Sequence, residues 1–172
     1  MKLNIRETAV FALLGALMYA SKVIMEILPN VHLLGVFVVA ITVAYRKKAL
    51  YPIYIYVFLN GLFSGFSMWW IPYLYIWTLL WGAVMLLPKN IPERARPIVY
   101  MTVCALHGFL FGTLYAPAQA IMFGLDFKAT VAWIAAGLPW DFVHGVSNFF
   151  CGILICPIIS VLKNSEKYIK NR

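Results

Sequence analysis

The sequence predicts an all-α integral membrane protein, a six-transmembrane-helix bundle with both termini cytoplasmic. Three observations predict it. Hydrophobic residues make up 63% of the chain and charged residues 12%, with a mean hydropathy of +0.85. A soluble domain is about half apolar and about a quarter charged. The apolar residues fall into six stretches separated by proline, asparagine and basic punctuation. The basic residues gather at alternate boundaries, as the positive-inside rule requires. With 172 residues, the chain reads as a single membrane domain, 1–172.

The first stretch, 5–27, ends at Pro29-Asn30. Lys2 and Arg6 followed by an apolar run from Thr8 to Ala20 imitate a signal peptide, but the A-x-A cleavage pattern is missing. The segment therefore reads as a retained first helix. The second stretch, 32–45, is short and ends at Arg46-Lys47-Lys48. It spans only by tilting, or joins a thinner part of the bundle, because about 20 residues cross the hydrocarbon at about 1.5 Å each. The third, 50–66, and the fourth, 69–87, nearly abut around Gly65-Phe66-Ser67. The fourth ends at Pro88-Lys89-Asn90, the fifth covers 98–123, and the sixth, 138–162, runs into a charged tail.

Twelve of the 14 basic residues lie on one side of that six-span arrangement: Lys2, Arg6, Arg46, Lys47, Lys48, Lys89, Arg94, Arg96, Lys163, Lys167, Lys170 and Arg172. Lys128 lies opposite and Lys22 lies within the first helix. The net charge of +8 is thus a topology signal, with scope for contact to anionic lipid. It excludes a nucleic-acid partner, which needs a basic soluble surface interleaved with aromatics. Cys104, Cys151 and Cys156 sit in apolar stretches without CxxC or Cys/His spacing, so they read as structural thiols. No metal site and no cofactor are expected.

The stretch PWDFVHGVSN, 139–148, places an acid, an imidazole and an amide inside an apolar helix. At 100° per residue, Asp141, His144, Gly145, Asn148 and Gly152 share one arc. His107, Phe111, Tyr115 and Gln119 share a side of the fifth helix, as do Trp70, Tyr73, Trp77 and Trp81 on the fourth. Intramembrane polar groups turn inward, because a central charge costs about 2.5–3.5 kcal/mol on insertion scales. The candidate substrate-binding residues are therefore Asp141, His144, Asn148, Trp140, Tyr115, Gln119, Tyr73, Trp77, Trp70, Asn60 and Glu26, around an aromatic-walled pocket open to the outside. Each also has a plainer reading. Asp141 follows Pro139 and fits a first helical turn, where an acid favours the macrodipole. His144 and Asn148 fit interhelical hydrogen bonding. His107 reads as structural. Glu26 is placed to pair with Lys22 at i,i+4, and Trp69, Trp70 and Tyr73 fit an interfacial belt.

Ala12, Ala16 and Ala20 repeat every four residues on the first helix. This small-xxx-small stripe admits a close helix neighbour, either a partner or another part of the same chain. Gly61/Gly65 and Gly108/Gly112 are similar pairs suited to internal contacts. GxxxxGK[ST], HExxH and GxSxG are absent, so the chain is not expected to be an enzyme or to hydrolyse ATP through a P-loop. Without a clear inverted repeat, a stand-alone secondary transporter is disfavoured.

Size, six apolar stretches, the Ala12/Ala16/Ala20 stripe and the segment AGLPWDFVHGVSNFFCGILICPI (136–158) together resemble the substrate-binding S components of energy-coupling factor (ECF) vitamin transporters. The resemblance covers essentially the whole chain. It implies a bacterial-type cell-membrane protein that captures a small vitamin-like solute at the outer face. It also implies a transmembrane coupling subunit, met by Ala12, Ala16 and Ala20, and two cytoplasmic ATPases. Delivery would occur by toppling of the subunit in the membrane. The implied pocket lies among helices 4–6, capped by the loop Leu28–His32, with the loop carrying Asp126, Lys128 and Trp133 also over it. The aromatic residues suit a flat ring, such as a pyridine or pyrimidine vitamin, a queuosine precursor or part of a corrinoid. Asp141 would also suit a cation. The nickel/cobalt branch is not expected, because its N-terminal histidine motif is missing. The competing readings are a small intramembrane enzyme using Asp141 and His144 as an acid–base pair, and a structural assembly subunit in which the polar residues pair with one another.

Overall fold

The computed structural model describes residues 3–170, with side chains described through residue 165. Lys2 and Arg172, and the side chains of Lys167 and Lys170, which entered the orientation argument, lie outside it. Among the described residues the chain is helix and turn, without a strand.

Helix α1 (Ile5–Met25) begins at a capping box, in which Asn4 accepts from the Glu7 backbone and Glu7 reaches back to the Asn4 N–H. Its buried residues are Phe11, Gly15 and Met18. That face packs on α3 (Leu50–Ser64), where a Cβ on Gly15 would meet Ile55 and the Pro52 carbonyl. Ala12, Ala16 and Ala20 lie on the exposed side. The stripe is therefore not an internal packing face.

Helix α2 (Leu34–Tyr45) is apolar all round, and every residue from Leu34 to Thr42 is buried. Such a helix belongs at the centre of a bundle, and it packs chiefly against α4 (Tyr73–Leu86) and α8 (Ile155–Lys170). Arg46 ends it with φ 53°, and α4 fixes the turn. Trp81 Nε1 donates to the Arg46 carbonyl at 3.1 Å, and the Arg46 guanidinium donates to Met85 O at 3.2 Å. A short 3-10 turn, Arg46–Ala49, then leads into α3, and Lys48 there pairs with Glu7 of α1.

Among the described residues, four helices are long and apolar enough to cross a membrane: Ile5–Met25, Met68–Leu86, Arg96–Phe123 and Phe127–Ser165. The second and third stretches make helices of 12 and 15 residues. At about 1.5 Å per residue these fall short of a hydrocarbon core about 30 Å thick. His32 and Leu33 lie outside α2, and a 3-10 turn at Met68–Trp70 precedes α4.

The expected fifth helix is two: α5 (Arg96–Phe109) and α6 (Phe111–Phe123), with a break at Leu110. The expected sixth helix starts at Phe127, not 138. Asp126 is its N-cap, accepting from Ala129 N at 2.7 Å, and Pro139 lies inside it. Helix α7 (Phe127–Cys151) runs through a 3-10 turn at Gly152–Leu154 into α8. The segment carrying Lys128 and Trp133 is therefore helix rather than a covering loop.

The α5/α6 rod and α7 run antiparallel along one seam. Cys104 meets Asn148, Gly108 meets Gly145, Gly112 meets Asp141, and Met101 meets Gly152. These contacts step one turn forward on one rod as they step one turn back on the other. The seam is close because it is glycine on both sides: a Cβ on Gly108 would stand 2.8 Å from Gly145 Cα and 2.8 Å from Asn148 Nδ2.

Gly108→Ala is expected to force the two rods apart and cost about 1–3 kcal/mol. Gly82→Ala is the matched control, since a Cβ there meets nothing within 4 Å. Removing that helical glycine should leave stability unchanged or raise it by up to about 1 kcal/mol. Thermal unfolding in detergent compares the two.

Candidate functional site

The glycine seam decides where the polar face of α7 goes. Asp141, His144, Gly145 and Asn148 are all buried, as is Gly152 just beyond. The shared arc expected from the sequence is thus the inward face.

Asp141 meets the start of a neighbouring helix. Both of its carboxylate oxygens stand 3.0 Å from Gly112 N, whose N–H donates to them. Gly112 lies in the first turn of α6, where backbone N–H groups have no partner inside the helix. A carboxylate also answers the positive end of the helix dipole there. Asp141 is therefore the cap of a neighbouring helix. It sits deep inside α7, so the first-turn reading of its own helix is corrected.

Five aromatic rings from five elements close a circuit beside that cap. Trp77 of α4 lies 5.6 Å from His107 of α5, centroid to centroid, and His107 lies 6.0 Å from Phe111 of α6. Phe111 lies 5.0 Å from His144 of α7, and His144 lies 4.6 Å from His32 of the α1–α2 loop. His32 returns to Trp77 at 6.3 Å. All three histidines of the chain stand in this circuit. Tyr73 packs on Trp77 and Phe111, and Tyr56 packs on Trp77.

Four of the five rings carry a buried nitrogen without a partner: His32 Nδ1, Trp77 Nε1, His107 Nδ1 and His144 Nε2. Tyr56 Oη, Asn60 Oδ1 and Asn148 Oδ1 are also buried and unpartnered. An unmet buried polar group costs about 1–3 kcal/mol, so seven of them need a physical reason. The polarity of two is fixed. Trp77 Nε1–H can only donate. His107 Nε2 lies 3.2 Å from the Ile76 carbonyl, which only accepts, so Nε2 carries the proton and Nδ1 is left as an acceptor. Asn148 Nδ2 donates to Cys104 O at 3.3 Å, which leaves its Oδ1 facing inward near Gly35 of α2. Among the described residues no group of three or more His, Cys, Asp or Glu side chains is placed to hold a metal ion.

The loop before α2 lies across this cluster. Ser147 Oγ shares its proton between Asn30 O and His144 O, each at 2.9 Å, and Asn30 itself has φ 58°. Burial pushes the His32 imidazole down to about 4, so the loop ring is neutral at pH 7.

The other expected site residues divide. Tyr73 and Trp77 are at the cluster. Tyr115 donates its hydroxyl to Trp69 O at 3.0 Å and stacks on Trp133 at 5.8 Å. Trp70 donates to Val57 O at 2.8 Å. These two rings brace the fold. Gln119 is half-buried on α6. Trp140 is corrected: it is 60% exposed, on the outer side of α7. Glu26 is corrected as well, since its carboxylate pairs with Lys22 at 2.8 Å on the exposed rim. Tyr56 is at this cluster without having been singled out by the sequence, whereas Phe111 lies on the arc expected for the fifth stretch, His32 lies in the expected capping loop, and His107 was expected to be structural.

No family model matches the chain, and neither a curated protein nor a solved structure matches it.

Two outcomes follow from the cap and the loop. Asp141→Ala leaves the Gly112 N–H unmet and should cost about 1–3 kcal/mol, while Asp141→Asn keeps an acceptor and should cost clearly less in thermal unfolding. A histidine with a lowered folded pKa takes up a proton more readily when unfolded, so its contribution is intact above about pH 6.5 and falls as the pH drops toward about 4. His32→Gln should flatten the melting-temperature profile across that window.

Proposed function

We propose that the chain is the solute-capturing membrane subunit of an ECF-type importer. In this reading its chain passes the bilayer as six helices with both termini cytoplasmic, and it works with a transmembrane coupling subunit and two ATPases at a bacterial-type cell membrane. The observation that carries the proposal is the ring circuit, in which four buried ring nitrogens have no partner. Structural glue pairs its polar atoms; these remain unpaired while neighbouring polar groups, at Asp141, Trp70 and Tyr115, all find backbone partners.

The solute in this reading is a small, uncharged, planar heterocycle. Aromatic walls suit a flat ring. Trp77 offers a donor and His107 an acceptor, which matches an edge bearing both kinds of group. With the rings closed on one another, entry requires the Asn30–His32 loop to lift from Ser147. The exposed Ala12/Ala16/Ala20 face supports the second half of the proposal, since it is left open for a close helix neighbour. Nothing in the geometry favours the acid–base pair of an intramembrane enzyme.

Native mass spectrometry of the detergent-solubilised protein tests this. A vitamin-sized mass should co-purify with the wild type. Trp77→Phe and His144→Leu should each reduce its occupancy at least tenfold, and Trp140→Ala should leave it unchanged. If no small molecule is retained, and no thermal shift appears with a panel of neutral heterocycles, the capture reading fails.

A further inference from the structure

A second site lies among the basic residues, away from the ring circuit. A cavity of about 550 Å³ is lined by Arg46, Lys89, Arg96 and Lys163, four cations from four separate parts of the chain. Its apolar lining comes from Val84, Leu87, Ile91 and Ile159. Among the described residues no carboxylate is in that lining. Among the described residues the one carboxylate in contact with these cations is Glu93, 3.4 Å from Arg96, with its side chain 87% exposed.

Four like charges around one cavity repel one another unless an anion sits between them. The two arginines are held in place. Arg46 is anchored on Met85 O and Arg96 on Ile91 O, at 3.2 and 3.1 Å. Each guanidinium keeps further N–H donors. Lys89 and Lys163 stand exposed at the rim. An apolar floor under a cationic rim fits an amphiphile, and basic pockets between membrane helices suit anionic headgroups.

We propose that this cavity binds a phosphate group, carried by an anionic lipid whose acyl chain lies on the apolar lining. The proposal does not depend on the nature of the captured solute. A free phosphate ion shares the headgroup chemistry, and the test separates the two sources.

The full chain in neutral detergent is offered phosphatidylglycerol or phosphatidylcholine of matched acyl chains, and retained lipid is read by native mass spectrometry. Phosphatidylglycerol should be retained at least fivefold over phosphatidylcholine. Lys89→Gln/Lys163→Gln should remove most of that preference, and the matching double change to arginine should keep it. Lys128→Gln, outside the cavity, should change nothing. In a second arm, inorganic phosphate alone is titrated against the melting temperature. A shift that the glutamine pair abolishes, without lipid preference, supports a phosphate site fed from solution and removes the lipid. Equal retention of both lipids with no phosphate shift overturns the site. So does a preference that the glutamine pair leaves intact.

Discussion

The polar face of α7 depends on how closely two helical rods approach at Gly108 and Gly145. Side chains at either position would hold the rods apart, because a Cβ on Gly108 would already meet Gly145 Cα at 2.8 Å. With the rods this close, Asp141 reaches a backbone N–H directly. That bond draws the Gly112 N–H to a carboxylate, at the place where the rod is interrupted by Leu110. The interruption and the acid are thus one feature. An acid in an apolar helix and a broken neighbouring helix would each be costly alone, and together each answers the other.

The same seam sets the depth of the remaining polar groups. One turn along α7 from Asp141, His144 faces Phe111 and His32. One turn further, Asn148 reaches the Cys104 carbonyl. On the opposite rod, His107 lies one turn before Phe111 and meets Trp77 of α4. The circuit needs no long-range adjustment to form. It follows from two rods in fixed register, with Trp77 of α4 and His32 of the loop before α2 completing it. The atoms that make the polar contacts, Asn148 Nδ2 and His107 Nε2, are not the unpartnered ones of those residues, so the fold can hold unmet polar atoms in place.

Much of the inward face was legible in the sequence. Helical periodicity is local, so Asp141, His144, Gly145, Asn148 and Gly152 could be placed on one arc without knowing what they faced. The internal role of Gly108 and Gly112 was legible for the same reason. Partners were not. Gly112 lies 29 residues from Asp141, and no pattern in the intervening chain announces the pairing. The start of α7 was missed because Lys128 and Pro139 read as loop punctuation, while Asp126 in fact caps a helix that accommodates both. Hydropathy runs smoothly through Leu110 and hides the break. Trp140 resembled a wall residue by type, yet its neighbour Asp141 occupies the inward arc and the tryptophan points out. His32 lay in a loop, where periodicity says nothing about facing. Tyr115 and Trp70 looked like ligand contacts because each has a polar tip, and only coordinates reveal that backbone carbonyls already occupy those tips.

Helix α1 shows how one element can serve two neighbours. Gly15 and Met18 turn inward, and Gly15 lets α3 approach at Ile55 and the Pro52 carbonyl. The alanines turn outward, with exposed Leu13 and Leu17 beside them. Lipid is as apolar as leucine, so exposed apolar surface in a membrane needs no partner by itself. Alanine differs in offering little area to lipid while lowering the barrier to backbone contact. A helix with small residues on both faces can join its own bundle through one and remain available through the other. The inner contact is fixed by the fold. Occupying the outer one leaves α3 and the ring circuit undisturbed, so docking and solute capture would load different surfaces of the same small protein.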